Sequence, residues 1–419
     1  MIPKINVYQN KLTNPKFSFI AIIILTGSIF ENNIEKGVSH FIEHLIFKGS
    51  KYSTNIKNLN NKLNSQGMNV NAFTNNYITC FHISTPNKYI NEAITTLIQM
   101  IFNPLFRDED IMNERKVVIN ELIERLNNPI SFAIQKSNQI IYDKTNPLYH
   151  PVIGYINILQ KIDRSTILSY YQKYYVPQNI IFFTNTFINK TPIIKIWEKE
   201  YLKYSQTPKS SENIISQNTP KLFKLMKKSL TLYNKSGEFN LSKHFPTNKS
   251  IYVIINYIIP KCNLKQEIAF DIFTNYLAGG LSSSLFIELR ERKQLIYSIS
   301  SYANIGIDIL ALTIQFNCKK NKKIYEECIN LINKEIKKFF KNGMPIKEFK
   351  KFKNKTLFNY IRSESSGNTK MGQLIDKYLF DIPKYNYKKE ILSITNTFLH
   401  KTINEKMNSK ETKKYIIRV

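Results

Sequence analysis

Residues 40–44 read His40-Phe41-Ile42-Glu43-His44, two imidazoles four positions apart with a carboxylate between them. On an α-helix, positions i and i+4 lie one above the other on the same face, so both rings can approach one metal ion. Glu43 lies three positions after His40 and projects close to that face. This His-x-x-Glu-His order is the inverted zincin motif, which supplies two nitrogen ligands and a general base for a zinc hydrolase. The alternative interpretation is a surface helix with two solvated histidines.

The composition indicates a chain with enough apolar material for two or more packed domains. It has 419 residues, of which 42% are hydrophobic, and a formal net charge of +29. Residues 1–205 carry 22 basic and 14 acidic side chains, a net charge of +8, while the remainder carries 38 and 17, a net charge of +21. A basic nucleic-acid-binding protein is therefore one alternative. Because the basic residues are spread along the chain without a nucleic-acid motif, we expect no nucleic-acid partner.

Cysteine usage and the apolar segment near the start bear on the compartment. The four cysteines have no metal-site or disulfide spacing and are interpreted as reduced core thiols: Cys80, Cys262, Cys318 and Cys328. The apolar stretch 17–25 is too short to span a bilayer, and its isoleucines favour a buried strand over a signal-peptide core. We expect no membrane span and no targeting segment. A bacterial cytoplasmic location is predicted, with an organelle matrix as the alternative.

Strands and helices alternate in two similar series. The first series has predicted strands at 17–26, 77–85 and 180–187 and helices around the motif and at 54–66, 87–102 and 108–126. The second series follows a Ser/Asn/Thr/Pro-rich stretch at 205–220 and has strands at 251–259, 295–303 and 307–317 and helices at 264–278, 281–293, 322–341 and 345–363. Residues 41–45 also resemble residues 273–277 at an offset of 232. This recurrence indicates a tandem duplication in which the second copy has lost the histidines.

A catalytic zinc site usually has a third protein ligand. The helix predicted at 108–126 offers three candidates, Glu114, Glu121 and Glu124. Glu114 and Glu121 are seven positions apart and lie on one helix face across two turns. The spacing alone leaves the choice open, and a solvated acidic face is the alternative.

Four segments together resemble the M16 metallopeptidases, the family of insulinase, pitrilysin and the mitochondrial processing peptidases. The segment Gly37–Ser50 resembles that family's whole motif helix, and Glu114–Glu121 resembles its Glu-x-x-x-Val-x-x-Glu helix, with 76 residues between His44 and Glu121. Asn71–Thr74 resembles a strand edge beside the zinc. In the second half, Gly279–Tyr297 resembles the C-terminal motif. The resemblance therefore covers nearly the whole chain.

The resemblance implies the roles of particular residues. His40, His44 and Glu121 would bind one Zn²⁺ per chain, and Glu114 would support the site from outside. Glu43 would act as general base towards a metal-bound water in a zinc metalloendopeptidase that hydrolyses peptides or unfolded polypeptide segments. The resemblance also implies four substrate-binding residues. Asn71 and Ala72 lie at the strand edge, and Arg290 and Tyr297 come from the second half. The histidine His150 is interpreted as a loop residue and not as a ligand.

The predicted fold class is α+β, with two tandem homologous domains that each have a mostly antiparallel sheet and helices on one face. We predict a catalytic domain at 1–205, a linker at 206–225 and a degenerate repeat at 226–419 that contributes to a substrate chamber. In the family, this half-length form works as a dimer, so we expect a homodimer, with a heterodimer as the alternative. The alternative function is a catalytically inactive M16-like scaffold or core subunit.

Overall fold

The computed structural model describes residues 5–11, 16–186, 190–202, 235–260, 262–305, 309–364, 369, 371–375 and 386–419. The chain divides into two compact units, one from Met1–Arg125, Lys144–Leu225 and Lys370–Gly372 and the other from Leu126–Asp143, Met226–Thr369 and Gln373–Val419. The predicted linker at 206–225 lies outside the described residues, and the boundaries at 205 and 226 stay predictions. Residues 126–143, which the sequence assigned to the first domain, pack in the second unit.

Each unit is built on a five-stranded sheet. The strands of the first sheet are β1 (Asn6–Lys11), β2 (Phe17–Ile24), β3 (Asn69–Thr74), β4 (Thr79–Pro86) and β5 (Ile180–Thr186). Those of the second sheet are β6 (Gly237–Asn240), β7 (Ser250–Pro260), β8 (Ile296–Ile305), β9 (Ile309–Lys319) and β10 (Lys413–Arg418). The strand orders are β1-β5-β2-β4-β3 and β6-β10-β7-β9-β8. The second order is the first with five added to each number.

The pairing pattern repeats as well. In the first sheet β1 and β5 are parallel and the other pairs are antiparallel, and in the second sheet only β6 and β10 are parallel. The prediction of two tandem α+β domains with mostly antiparallel sheets is therefore confirmed. The apolar stretch near the start of the chain is the central strand β2, and its residues Ile20–Ile24 are fully buried.

The helices carry the apolar residues that cover the sheets. In chain order they are α1 (Val38–Ile46), α2 (Ile56–Ser65), α3 (Ile90–Phe102), α4 (Asp108–Asn127), α5 (Pro129–Ile141), α6 (Ile156–Leu159), α7 (Arg164–Tyr174), α8 (Lys190–Leu202), α9 (Leu264–Ala278), α10 (Lys322–Asn342), α11 (Ile346–Glu364), α12 (Tyr387–Ser393) and α13 (Asn396–Met407). Helices α9, α10, α11 and α13 share one apolar core with strands of the second sheet. All four cysteines are buried and unpaired. Within the described ranges, no helix combines the length and apolar character needed to cross a membrane.

Helix α5 packs on strands of the second sheet through a small separate cluster. Phe132 and Ala133 of α5 contact Ile254 of β7 and Val419, next to β10. Ser137 accepts a hydrogen bond of 2.6 Å from the buried Asn256 of β7. These apolar and polar contacts explain why this helix belongs to the second unit although it follows α4 directly.

Candidate metal centre

Helix α1 carries the motif, and its apolar residues face the core of the first unit. Phe41, Ile42, Leu45 and Ile46 are buried, which anchors the helix in the first unit. His40 is 8% exposed. The rings of His40 and His44 lie 4.6 Å apart between centroids, as expected one helical turn apart.

The start of α1 is fixed by backbone contacts and by a buried carboxylate. Gly37 has a φ of 100°, and a Cβ there would lie 2.7 Å from the carbonyl oxygen of Ile153, so only glycine fits this close approach. The carboxylate of Glu31, 4% exposed, accepts hydrogen bonds from the backbone N–H groups of Gly37 at 2.8 Å and Ser39 at 2.9 Å. These bonds satisfy donors that the first turn of a helix leaves unpaired.

Helix α4 brings the second group of site residues. Its buried positions are Ile111, Glu114, Val118 and Leu122, a helical stripe in which Glu114 is the one charged member. Glu121 borders that stripe and is half-buried, whereas Glu124 is exposed. The structure therefore turns Glu114 and Glu121 towards the interior, and leaves Glu124 in solvent.

The structure brings three of the predicted ligands together. One donor atom from each of His40, His44 and Glu121 can be chosen so that all three lie within 4.8 Å of one another. The Glu121 Oε2 atom is 3.8 Å from Nε2 of His40 and 3.6 Å from Nε2 of His44. Among the described residues this is the one cluster of at least three such groups that could hold a metal ion, and His150 is not part of it.

These distances fit a zinc ion. Two ligands bound to Zn²⁺ at about 2.0–2.2 Å in a tetrahedral arrangement lie roughly 3.3–3.5 Å apart. The Nε2–Oε2 distances of 3.6 and 3.8 Å would need to contract by only a few tenths of an ångström. Two imidazoles and one carboxylate are also the donor set of known catalytic zinc sites, which keep a further position open.

Glu114 orients the second histidine. Its Oε1 atom lies 2.9 Å from Nδ1 of His44, and because an ionised carboxylate can only accept, Nδ1 carries the hydrogen, which in the neutral imidazole leaves the lone pair on Nε2. Lys48 forms an ion pair with the other oxygen of Glu114. Such contacts fix the ring and increase its basicity as a ligand.

The ionisation of the two histidines follows from these surroundings. Burial, and then the neighbouring His44, lowers the pKa of His40 to about 4, so its imidazole is neutral near pH 7. Burial also acts to lower the pKa of His44, but the hydrogen bond to Glu114 and the nearby carboxylates outweigh it and raise the pKa above its usual value. For Glu114, the partners His44 and Lys48 outweigh the effect of burial and lower the pKa.

Arg125 contacts Glu121, the third predicted ligand, from the outer side. Its Nε and Nη2 atoms donate to Oε1 of Glu121 at 3.0 and 2.6 Å, one helical turn apart on α4. This leaves Oε2, the other oxygen, facing the two imidazoles. The arginine was not singled out from the sequence, although its i,i+4 spacing from Glu121 is a recognisable signal.

Glu43 lies beside the cluster and has its own partner on β3. Thr74 donates a hydrogen bond of 2.6 Å from Oγ1 to Oε2 of Glu43. Burial raises the pKa of Glu43, and the bond from Thr74 acts in the opposite direction. The side chain is thus placed near the two histidines and held from one side.

The remaining predicted residues lie in two places. Asn71 and Ala72 are on β3, which is the edge strand of the first sheet, and the side chain of Asn71 accepts from the backbone N–H of Ala72. In the second unit, Arg290 lies in a π-helical turn, Ile287–Arg292, and donates to the carbonyl of Ile296 at 2.9 Å. Tyr297 is 55% exposed at a bulge between β8 and β9. Their roles in substrate binding stay predictions.

Comparison with known proteins gives consistent results over most of the chain. Residues 7–151 match the family model "Insulinase (Peptidase family M16)", and residues 161–356 match "Peptidase M16 inactive domain". An uncharacterized zinc protease of Bacillus subtilis, YmxG, is 25% identical over 390 residues, which cover 92% of this chain and 86% of that protein. One of Rickettsia felis is 25% identical over 325 residues, or 77% of this chain and 72% of that protein.

A solved structure agrees at the level of the fold. A protease from Helicobacter pylori superposes with a TM-score of 0.80 at 18% sequence identity, covering 98% of this chain and 96% of that one. The two matched family models, the two repeated sheets and the cluster around His40 and His44 agree with one another. The chain belongs to the M16 family of zinc-protease-like proteins, the family of insulinase.

Proposed function

We propose that this protein is a zinc-dependent endopeptidase that hydrolyses peptides or unfolded polypeptide segments. The observation that carries the proposal is the cluster of His40, His44 and Glu121, whose donor atoms lie within 4.8 Å of one another with Glu43 alongside. A bound Zn²⁺ would supply Lewis-acid chemistry there, acting on a peptide carbonyl oxygen and making water more acidic.

The chain's own residues would supply the remaining functions. A carboxylate oxygen of Glu43 would accept a proton from the attacking water and later deliver it to the leaving amine nitrogen. The open edge of β3, which carries Asn71 and Ala72, would orient the peptide by adding it as a further strand. Glu114 and Arg125 would keep His44 and Glu121 aligned during the reaction.

The substitution Glu43→Gln tests the proposal because it removes the base without removing a ligand. We expect zinc content to stay at that of the wild type while hydrolysis of a peptide pool falls by about 10²-fold or more. Zinc content would be measured by elemental analysis and hydrolysis by mass spectrometry of the pool. Full hydrolysis in the Glu43→Gln variant would exclude Glu43 as the base.

The inactive scaffold is the rival within the same family. A scaffold would show no chelator-sensitive hydrolysis in the wild type, whatever its zinc content. The intact ligand set favours the peptidase, because a subunit without catalytic duty has no need for His40, His44 and Glu121 to converge. Hydrolysis that 1,10-phenanthroline abolishes and added zinc restores would support the peptidase and count against the scaffold.

We further propose that two copies of this chain form the working particle. A homodimer would be sufficient, because one chain contains both the candidate zinc site and the second unit with Arg290 and Tyr297. Light scattering would then give a mass about twice the 49.2 kDa of one chain. A mass of one chain at the concentrations where the protein is active would contradict this.

A further inference from the structure

Thr74 makes a direct contact with the general base of the proposed reaction. Its Oγ1 atom donates to Oε2 of Glu43 across 2.6 Å, the short distance typical of a hydrogen bond to an ionised carboxylate. Within the described part of the chain, Oε1 of Glu43 has no hydrogen bond, so one oxygen is held and the other is available. The two residues come from different elements, Thr74 from the end of β3 and Glu43 from α1.

The hairpin that follows β3 fixes the position of Thr74. Thr74 pairs with Thr79 as the last pair of the β3–β4 ladder. Directly after it, Asn75 closes the turn, since its backbone N–H donates to the carbonyl of Ile78 and its side-chain oxygen accepts from the N–H groups of Tyr77 and Ile78. These hydrogen bonds fix the backbone next to Thr74.

A second segment, around Ser28, forms backbone hydrogen bonds with this turn. Ser28 and Ile29 donate backbone hydrogen bonds to the carbonyls of Asn75 and Asn76 at 3.2 and 3.1 Å. A Cβ on Gly27 would lie 2.3 Å from the carbonyl oxygen of Asn75, so the close approach requires glycine. The turn is therefore held by backbone hydrogen bonds to this segment as well as by its own, and the adjoining Thr74 donates its hydroxyl to Glu43 of α1.

We propose that Thr74 is a positioning residue for Glu43, holding one carboxylate oxygen so that the other meets the attacking water. The proposal rests on the peptidase function proposed above. Thr74 acts by orienting the carboxylate of Glu43. A base must lie within hydrogen-bond reach of the proton that it takes, and a freely rotating carboxylate spends less time there. The methyl group of Thr74 has no part in this, so a serine should substitute for it.

The experiment compares Thr74→Val, which keeps the shape and removes the hydroxyl, with Thr74→Ser, which keeps the hydroxyl. The matched control is Thr95→Val on α3, where the lost hydroxyl bonds to the carbonyl of Asn91 and lies outside the candidate site. Each protein would be loaded with zinc, checked for one zinc per chain, and assayed with a fluorogenic peptide.

We expect Thr74→Val to lower kcat by about 10- to 100-fold, the range for loss of a hydrogen bond to a charged group, with KM within about twofold. Thr74→Ser should keep most of kcat, and Thr95→Val should match the wild type. Unchanged kcat in Thr74→Val, equal losses in the Val and Ser variants, loss of zinc, or an effect on KM alone would each overturn the proposal. A wild type without chelator-sensitive hydrolysis would instead overturn the peptidase function itself, and this proposal with it.

Discussion

At the scale of single residues, the candidate site depends on pairs in which an outer side chain directs an inner one. Glu114 holds His44, Arg125 holds one oxygen of Glu121, and in turn Lys48 pairs with Glu114. Among the described residues, neither Nε2 of His44 nor Oε2 of Glu121 has a hydrogen bond to another protein group. A bound cation would therefore replace no existing bond at those atoms.

The choice between Glu121 and Glu124 gives the first prediction. Glu121→Gln should lose stoichiometric zinc, because it removes the anionic ligand of the cluster. Glu124→Gln should retain it, since Glu124 is exposed and is not part of the cluster. Zinc content after dialysis, measured by elemental analysis, separates the two, and equal zinc in both variants would contradict the assignment.

A second prediction concerns Glu114. Glu114→Gln should weaken zinc binding by about 10- to 100-fold, since it removes the negative charge that orients His44 and pairs with Lys48. Competition with a chromogenic chelator would measure the dissociation constant. An affinity equal to that of the wild type would show that Glu114 is a buried ion-pair partner without influence on the metal.

The residues that could be predicted from the sequence are those whose spacing along one helix carries the chemistry. The i,i+3 and i,i+4 geometry places His40, Glu43 and His44 on one helix face, while their roles and the choice of Glu121 were implied by the resemblance to the M16 family. The residues that sequence reasoning missed, Glu31 and Thr74 as partners of α1, act across distant segments. No periodic pattern relates Thr74 to Glu43 over 31 positions, so only the folded chain shows the contact.

At the scale of elements, the buried carboxylate of Glu31 sets where the motif helix begins. Glu31→Ala would leave the N–H groups of Gly37 and Ser39 buried without acceptors. We expect the free energy of unfolding to fall by about 1–3 kcal/mol. The control is Glu109→Ala, an exposed acidic residue in the first turn of α4, which should change it by less than about 0.5 kcal/mol. Urea titrations of both variants would measure the difference, and equal effects would contradict the capping role.

The pH dependence of stability gives a further prediction for Glu31. Burial raises the pKa of Glu31 to about 7, against the opposing effects of the Gly37 and Ser39 N–H groups and of Lys36. The folded state then binds the proton more tightly than the unfolded state does. The contribution of Glu31 to the free energy of unfolding is fully present below about pH 4.5 and is lost as pH rises through about 7. The free energy of unfolding changes by about 3 kcal/mol over this range. This decline should be absent in Glu31→Gln, which does not titrate, and identical pH profiles would contradict the prediction.

Predicted elements agree with the structure where a local signal marks them. Helix α4 was expected at 108–126 and spans Asp108–Asn127, because the acidic first turn Asp108-Glu109-Asp110 marks its start. Helix α5 was not predicted. Its short sequence follows α4 after a single residue, and its burial depends on contacts with Ile254 and Val419, which are far away along the chain.

At the scale of the whole molecule, the repeated strand order is consistent with the tandem duplication predicted from the sequence. At the offset of 232, Asn275 and Tyr276 stand where Glu43 and His44 stand in the first unit. In the second unit these side chains make structural hydrogen bonds, Asn275 to the Asp271 carbonyl and Tyr276 to Glu335. The tandem organisation could be predicted from the recurring element order. The parallel pairs β1–β5 and β6–β10 could not, since they join strands far apart in sequence.

Removal of the metal should abolish hydrolysis without unfolding the protein. Each sheet has its own set of buried apolar residues, and of the candidate ligands only His40 is buried, whereas His44 and Glu121 are partly exposed. Chelation should abolish hydrolysis, leave the far-ultraviolet circular dichroism spectrum unchanged and lower Tm only by the contribution of bound zinc. Zinc should restore hydrolysis. Loss of helical signal on chelation would contradict this and indicate a structural metal.

The most direct measurement is zinc analysis of the purified wild-type protein combined with zinc K-edge X-ray absorption. The account predicts one zinc per chain, bound by two imidazole nitrogens at about 2.0–2.1 Å and by oxygen at about 2.0–2.2 Å, with no sulfur ligand. Protein that does not take up stoichiometric zinc, or zinc bound through cysteine sulfur, would contradict a centre built from His40, His44 and Glu121.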